Sequence, residues 1–140
     1  MNTSILLQVG VKIFLKNTEG KYLLLKRSAI RYPNIKNFWD IPGGRIFPGT
    51  PLLENIRREV FEETKLYVSG EPKLIGVQDI IRLPEKHIVR LTFSATTSGS
   101  PVLDEDHLEF KWVALEEMKS VKGLDEFTHE ILEKNFSQII

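Results

Sequence analysis

The stretch IPGGRIFPGTPLLENIRREVFEET, residues 41–64, changes its pattern halfway along. Its first half contains the pair Gly43 and Gly44, which predicts a tight bend that glycine accommodates easily. Apolar side chains then recur at steps of three and four residues, at Leu53, Ile56 and Val60. This periodicity predicts an amphipathic helix with Thr50 as its N-cap and Pro51 as its first residue, ending near residue 64 or 65.

The predicted helix brings three carboxylates to one patch of its surface, at Glu59, Glu62 and Glu63. Positions three or four residues apart share a helix face, so these groups repel one another. A hard divalent cation such as Mg²⁺, which prefers oxygen ligands, would relieve the repulsion. The alternative is a solvated face on which the pairs Glu54–Arg58 and Arg58–Glu62 neutralise the charges. The glycine bend before the helix favours the metal hypothesis, because backbone groups there can approach a ligand.

The rest of the chain combines several strand patterns with one further helix. The strand patterns are residues 7–15, YLLLKR (22–27), KLIGVQDIIRL (73–83), HIVRLTFSATT (87–97) and LEFKWVAL (108–115). The closing helix is predicted in LDEFTHEILEKNF (124–136), where Asp125 and Glu126 suit the positive end of the helix dipole. Strands with two interspersed helices predict an α/β fold with a mixed sheet covered by helices.

The composition is that of one neutral globular domain. The 140 residues are 41% hydrophobic, and 19 basic residues balance 19 acidic ones. This length predicts a single domain over residues 1–140, and the zero net charge provides no overall attraction to nucleic acid or to an anionic membrane. The absence of cysteine excludes disulfides and thiolate metal sites. Gln8 and Lys12 interrupt the apolar opening, so we expect an untargeted cytoplasmic protein without a membrane span.

Residues 44–66 resemble the sequence box of the Nudix hydrolases, G-x5-E-x7-R-E-U-x-E-E-x-G-U, in which U is a bulky aliphatic residue. The matching positions are Gly44, Arg58, Glu59, Val60, Glu62, Glu63 and Leu66. Two positions depart from the box, with Thr50 in place of its first glutamate and Lys65 in place of its second glycine. The segments YLLLKR, FWDIPGG and EFKWVALEEM also look like those that flank the box, so the resemblance spans most of the chain. It implies a Nudix-type α/β/α sandwich with a mixed β-sheet between helices.

The resemblance also implies roles for individual residues. Glu59 and Glu63 would bind Mg²⁺, with Mn²⁺ as a substitute. Glu62 would support a second ion, and the carbonyl of Gly43 would complete the ligand shell. Glu62 and Glu63 would thus serve catalysis, whereas Arg58 would be structural and orient the glutamates through ion pairs. Because Thr50 removes one expected partner of that arginine, we predict that Glu54, one helical turn before it, takes over this support.

Residues outside the box extend the predicted site. Arg27 ends a strand, and its guanidinium suits a substrate phosphate better than its basic neighbours Lys26, Arg31 and Lys36 do. Gly44 is predicted to bind substrate through the backbone of the bend. The acidic loop at 104–106 lies in the region from which some Nudix hydrolases supply a general base, and Glu105 and Glu109 are the predicted candidates. Of the aromatic residues that are able to stack on a base, Tyr32, Phe38 and Trp39, the last is assigned to packing, as is Trp112.

The predicted function is Mg²⁺-dependent hydrolysis of a diphosphate linkage by an activated water, in a nucleoside triphosphate or a related nucleoside diphosphate derivative. An ADP-ribose or nucleotide-sugar pyrophosphatase is the alternative within the class. A non-catalytic nucleotide-binding module is the alternative from another class, motivated by Thr50 and Lys65. The partner is therefore a small nucleotide. A polynucleotide is not expected, because no basic track extends beyond residues 26–36. A homodimer is an open expectation, since members of the family often dimerise.

Overall fold

The computed structural model describes residues 4–30 and 37–139. The strands are β1 (Leu6–Lys16), β2 (Tyr22–Arg27), β3 (Trp39–Asp40), β4 (Gly43–Arg45), β5 (Ser69–Ile80), β6 (Lys86–Thr96) and β7 (His107–Val113). The helices are α1 (Leu52–Thr64), α2 (Leu115–Met118), α3 (Glu126–Lys134) and α4 (Phe136–Ile139). None of these helices has the length and apolar character needed to cross a bilayer.

The strands form one mixed sheet around β1. The strand order is β3-β2-β1-β6-β5, with β4 also paired to β1 and β7 to β2. The β1–β6 pair is parallel, from Leu6 opposite Lys86 to Lys16 opposite Thr96, whereas the other pairs are antiparallel. Strand β4 lies beside the middle of β1, where Gly43 is the partner of Lys12. The sheet thus places the glycine bend next to a lysine of its central strand.

Apolar side chains cover both faces of the sheet. Leu23 belongs to the cluster that contains the apolar face of α1, whereas its neighbour Leu24 belongs to the cluster that contains α2, α3 and α4. This alternation follows from the strand geometry, in which successive side chains point to opposite faces. Trp39 and Trp112 are half-buried and pack against these clusters, in agreement with their predicted packing roles. The fold confirms the predicted α/β/α sandwich.

Helix α1 begins one residue later than the prediction. Pro51 is the N-cap and Leu52 the first helical residue, and no side chain caps the helix. The prediction that Thr50 is the N-cap and Pro51 the first residue was therefore wrong. The fully buried amide of Asn55 stabilises this start instead, because its Nδ2 donates to the carbonyls of Thr50 and Pro51, both at 2.9 Å. A side chain inside the helix thus holds the preceding loop, and a capping hydroxyl is not needed.

Helix α1 ends in a left-handed residue that is not glycine. Lys65 has φ 62° and ψ 11°, and its N–H donates to the Phe61 carbonyl at 2.9 Å. It is the one non-glycine residue with a positive φ in the ranges that the structure describes. The family box has glycine at this position. Lys65 adopts the same left-handed conformation, although lysine lacks the conformational freedom of glycine.

Replacing Lys65 by glycine should relieve this strain. We expect Lys65→Gly to raise the free energy of unfolding by about 1 kcal/mol, because the relief exceeds the entropy that glycine adds to the unfolded chain. Lys65→Ala is the matched control, since it removes the same side chain but retains the Cβ. Urea unfolding measures both variants, and equal stabilities for the two would contradict the explanation.

Candidate functional site

A cavity of about 650 Å³ is lined by residues of α1, β1, β4, the loop before β7 and the start of α3. One end carries the carboxylates, from Glu59, Glu62, Glu63, Asp104 and Asp106. The other end is formed by apolar and basic side chains near α3, from Ile80, Arg82, Ile88, Arg90 and Phe127, together with Asp125. The cavity therefore has two chemically different ends.

Glu59 lies directly against the glycine bend. A Cβ on Gly44 would be 2.7 Å from a carboxylate oxygen of Glu59, so any larger residue there would displace the carboxylate. Gly43 has φ 142°, and a Cβ on it would meet the Val11 carbonyl oxygen at 2.0 Å. Glycine at both positions therefore allows strand β4 to pass between β1 and the glutamates. Gly44 lines the cavity, and its predicted contact with the substrate stays a prediction.

Glu63 is the buried carboxylate of the cluster. Its Oε1 accepts a hydrogen bond from the Gly43 N–H at 3.1 Å, whereas Glu62 is exposed and pairs with Arg58. Burial raises the pKa of Glu63 to about 8, and repulsion from Glu59 and Asp104 adds to this rise, while Lys12 and the Gly43 N–H oppose it. A buried carboxylate that repels two others is in an environment that disfavours its charge.

This donor chemistry fits a divalent cation. Carboxylate oxygens are the ligands that Mg²⁺ prefers, and a cation would remove the repulsion felt by Glu63. Within residues 4–30 and 37–139, no group of three or more acidic or imidazole side chains is already arranged to hold an ion. The fit is thus one of donor chemistry and charge, and the ligand roles of Glu59, Glu62, Glu63 and the Gly43 carbonyl stay predictions.

Arg58 holds the glutamates and the preceding loop together. Its Nη1 lies 3.0 Å from Glu59 and 3.1 Å from Glu62, and its guanidinium stacks 3.8 Å above the Phe47 ring. Its Nη2 donates to Asn55 Oδ1 at 3.1 Å. These ion pairs agree with the orienting role that the resemblance implies for Arg58.

Asn55 is a further partner of Arg58. Its Oδ1 accepts from the Phe47 N–H at 2.9 Å as well as from Arg58, whereas Glu54 is exposed and has no recorded contact with Arg58 in the described part of the chain. Asn55 rather than Glu54 thus contacts Arg58 in the structure, and the supporting role of Glu54 stays a prediction. Residue 55 faces the core of the fold and residue 54 faces solvent. For polar residues, the helix pattern in the sequence does not show which of two neighbours is buried.

Substitutions at these two neighbours should separate the roles. We expect Asn55→Ala to lower the free energy of unfolding by about 2 kcal/mol, because it leaves buried backbone groups without partners. It should also weaken Mg²⁺ binding by about tenfold or more, the usual cost of losing a residue that supports metal ligands. Glu54→Ala should change neither quantity. Urea unfolding and calorimetric Mg²⁺ titration provide the test. A loss of stability and of Mg²⁺ affinity with Glu54→Ala alone would support the role predicted for Glu54.

A buried aspartate organises the basic side of the cavity. Asp40 is 3% exposed, and its Oδ2 accepts from Lys12 Nζ and from Arg27 Nη2, both at 3.0 Å. Its Oδ1 accepts from the Ile41 N–H and from the Thr128 hydroxyl. Burial alone would raise the pKa of Asp40, but its cationic neighbours and the Thr128 hydrogen bond hold that pKa well below its usual range. Arg27 thus lines the cavity as part of this network, and its predicted contact with a phosphate stays a prediction.

Arg90 connects the Asp40 network to α3. Its Nη2 lies 3.6 Å from Asp40 and donates to the Thr128 hydroxyl at 2.6 Å, and its Nη1 lies 3.1 Å from Asp125. Asp125 is also the N-cap of α3 and accepts from the N–H groups of Phe127 and Thr128. Apart from Arg27, the residues of this network were not predicted from the sequence. The sequence contained a signal for this network, because Lys12 in VGVKIFL and Arg90 in IVRLTF are charged residues within apolar strands.

The acidic loop contributes other residues than those predicted. Asp104, Asp106 and His107 line the cavity, and the His107 Nδ1 lies 2.7 Å from an oxygen of Asp104. Glu105 is exposed and outside the cavity lining, and Glu109 pairs with Lys26 at 3.1 Å on the surface of the sheet. Neither residue lines the cavity, and the prediction that Glu105 or Glu109 acts as a general base stays a prediction. The backbone conformation of the loop turns the side chains at 104 and 106 toward the cavity, and spacing along the sequence does not reveal such a turn.

Three of the predictions concern residues outside the described ranges. Arg31 and Lys36 were named as basic neighbours of Arg27, and Tyr32 was named as a residue that is able to stack on a base. All three lie in segment 31–36.

The chain is similar to known proteins in sequence and in fold. Residues 6–134 match the NUDIX domain model. The chain is 30% identical over 106 residues to a protein of Bacillus subtilis (strain 168) named "Putative 8-oxo-dGTP diphosphatase", with 75% of this chain and 65% of that protein covered. The chain therefore spans just under two thirds of the length of that relative.

Solved structures share the fold over almost the whole chain. The MutT protein from Methanosarcina mazei Go1 matches with a TM-score of 0.81 and 26% identity, over 99% of this chain and 98% of that one. The MutT NUDIX hydrolase from Burkholderia pseudomallei matches with a TM-score of 0.76 and 26% identity, over 92% and 98% of the two chains. Together with the glutamates of α1 held against the Gly43–Gly44 bend, these matches show that the chain belongs to the NUDIX domain family.

Proposed function

We propose that the protein hydrolyses a diphosphate linkage in a nucleoside triphosphate or a related nucleoside diphosphate derivative. The observation that supports this most strongly is the cavity lining, which combines the carboxylates of α1 and of the loop before β7 with apolar and basic side chains near α3. A nucleotide has matching parts, because its phosphate chain binds through a divalent cation and its base is a planar apolar ring with polar edges. The name of the Bacillus subtilis relative supports the same class of substrate.

The proposed cation would be Mg²⁺, held by Glu59 and Glu63, with Glu62 nearby. When bound, such an ion neutralises charge on phosphate oxygens and lowers the pKa of a water ligand. Arg58 keeps Glu59 and Glu62 in place through its ion pairs, and the Gly43 N–H orients Glu63. Asp104 and His107 are the proposed proton acceptors for the attacking water, because their hydrogen-bonded pair lines the carboxylate end.

The end near α3 is proposed to hold the nucleoside. Phe127 offers an aromatic ring, and Ile80 and Ile88 form an apolar wall. Arg82 lies 5.1 Å from the centroid of the Phe127 ring, so this surface combines a ring with a cation. Such a surface favours a flat ring with acceptor atoms over a flexible sugar.

Product release from a panel of compounds tests the proposal. The panel contains nucleoside triphosphates, 8-oxo-dGTP, ADP-ribose and nucleotide sugars, each with Mg²⁺ and with a chelator. We expect metal-dependent release of pyrophosphate or phosphate from the triphosphates. Turnover of ADP-ribose or nucleotide sugars alone would favour the alternative substrates, and nucleotide binding without any turnover in excess Mg²⁺ would favour a binding module.

A further inference from the structure

Lys12 occupies an unusual place for a lysine. It lies in the middle of the central strand β1, between Gly43 of β4 and Thr92 of β6, and its side chain is only 13% exposed. A central strand is usually apolar, and a buried ammonium group costs free energy unless it is paired. The side chain lines the cavity between the Asp40 network and the glutamates. The ion pair with Asp40 compensates part of this cost.

The contacts of Lys12 leave part of its hydrogen-bonding capacity available. Its ammonium group donates to Asp40 Oδ2 at 3.0 Å and to the Ile41 carbonyl at 3.2 Å. An ammonium group has three N–H donors, and two acceptors are recorded for Lys12 among the residues described by the structure. Asp40 Oδ2 also accepts from Arg27 at 3.0 Å, and Arg90 Nη2 lies 3.6 Å from Asp40 Oδ1, so the single negative charge of Asp40 is shared among three cations. The charge of Lys12 is thus only partly neutralised.

The surroundings hold this ammonium group in position. A Cβ on Gly43 would lie 2.9 Å from Lys12 Cδ, so the glycine bend leaves just enough room for the aliphatic part of the lysine to pass. Asp40 is itself fixed by the Ile41 N–H and the Thr128 hydroxyl. Gly43, the partner of Lys12 in the pairing of β1 with β4, donates its N–H to Glu63 Oε1 at 3.1 Å, so Lys12 and Glu63 contact the same glycine bend. The ammonium group is therefore positioned before any ligand binds, near the carboxylate that is proposed to bind the cation.

We propose that Lys12 is a substrate-binding residue whose ammonium group donates to a phosphate oxygen at the carboxylate end of the cavity. The inference rests on the proposed function, because it assigns a further contact to the same substrate. A compact ammonium charge suits a phosphate oxygen, and a donor that is already fixed loses little conformational entropy on binding. The substrate phosphates would then lie between cationic groups on both sides, the bound cation at the glutamates and Lys12 at the wall formed by β1.

Binding of inorganic pyrophosphate tests this proposal without requiring turnover. The protein is titrated with pyrophosphate at low ionic strength, with Mg²⁺ and with a chelator, and the ³¹P chemical shift reports the bound fraction. Lys12→Met removes the charge but keeps an unbranched apolar side chain, and we expect it to weaken binding at least about tenfold in both conditions. Lys12→Arg retains a charge and should recover part of the loss. Lys26→Met is the matched control, because Lys26 lies on β2 outside the cavity lining and pairs with Glu109.

Each result of these titrations either supports or overturns the proposed contact of Lys12. A selective loss with Lys12→Met, beside unchanged binding with Lys26→Met, supports the contact. Equal losses in the two variants would show a general effect of charge and would overturn the proposal. Unchanged binding with Lys12→Met, or the absence of saturable binding to the unaltered protein, would overturn it as well. Failure of the nucleotide panel, by contrast, would reject the proposed hydrolysis while leaving this binding result intact.

Discussion

Glu63→Gln should lower the rate of hydrolysis by about 100-fold or more, because loss of residues that merely support metal ligands already costs about 10- to 100-fold. The same substitution should stabilise the metal-free protein at neutral pH. Glu63 is buried beside Glu59 and Asp104, and its pKa rises to about 8 from an ordinary value of 4.5. Glutamine keeps an oxygen for the Gly43 N–H but has no charge to bury. We therefore expect opposite effects on activity and on stability from one substitution.

The sign of the pH effect follows from this raised pKa. Below pH 4.5 Glu63 is protonated in both the folded and the unfolded state. Between about 4.5 and 8 the unfolded chain releases the proton while the folded protein retains it, so the free energy of unfolding falls as the pH rises. Above about 8 both states are ionised, and no further change arises from this residue. Glu63→Gln should abolish this part of the pH dependence.

Urea unfolding with a chelator at several pH values measures the stability effect, and the panel assay measures the loss of activity. Addition of Mg²⁺ should stabilise the unaltered protein and have a much smaller effect on Glu63→Gln, since a ligand that binds the folded state alone stabilises it. Glu71→Gln, at an exposed position of β5, is the control for removal of a carboxylate charge. Full activity in Glu63→Gln would rule out the proposed ligand role.

Asp40→Asn should lower the free energy of unfolding by about 3–5 kcal/mol, the range found when one partner of a buried ion pair is removed. Asparagine has the same shape, so the loss reports charge rather than packing. Lys12 and Arg27 would lose a carboxylate at 3.0 Å from each, and Arg90 one at 3.6 Å. All three side chains are at most one quarter exposed, so water compensates poorly for the missing charge.

The pH dependence at Asp40 runs in the opposite direction to that at Glu63. The folded state lowers the pKa of Asp40, so the unfolded chain binds the proton first as the solution becomes acidic. The contribution of Asp40 is complete above the ordinary aspartate pKa of about 3.9 and is lost as the pH falls through its lower folded value. Acid unfolding of the unaltered protein should therefore be steep below pH ~4, and Asp40→Asn should flatten it.

A matched variant separates the buried network from surface pairs. Asp79 pairs with His87 at 2.7 Å but is 67% exposed, so Asp79→Asn should change the free energy of unfolding by less than about 0.5 kcal/mol. Chemical unfolding at neutral pH, followed by circular dichroism, compares the two substitutions. Equal stabilities for Asp40→Asn and Asp79→Asn would mean that the network does not stabilise the fold.

Local patterns predicted the longer strands and the two longer helices, α1 and α3, but not the four-residue helices α2 and α4. The step of three and four residues in α1 and the alternation in the strands depend on neighbours in the chain, and the structure agrees with both. The spacing of Glu59, Glu62 and Glu63 also determines that they share a region of α1, because helix geometry is the same in any fold.

The contacts between these elements depended on the tertiary structure. Asp40 meets Thr128 across 88 positions of sequence, and Glu63 meets Gly43 across 20, because strand pairing and the docking of α3 bring them together. Asn55 rather than Glu54 contacts Arg58, and Asp104 and His107 rather than Glu105 and Glu109 line the cavity, because these side chains face the interior. A sequence specifies the charge at each position and the periodicity of each segment. The burial of a charged side chain and its partners are set by the packing of distant segments. Burial and partners together determine the pKa of that side chain and its contribution to stability.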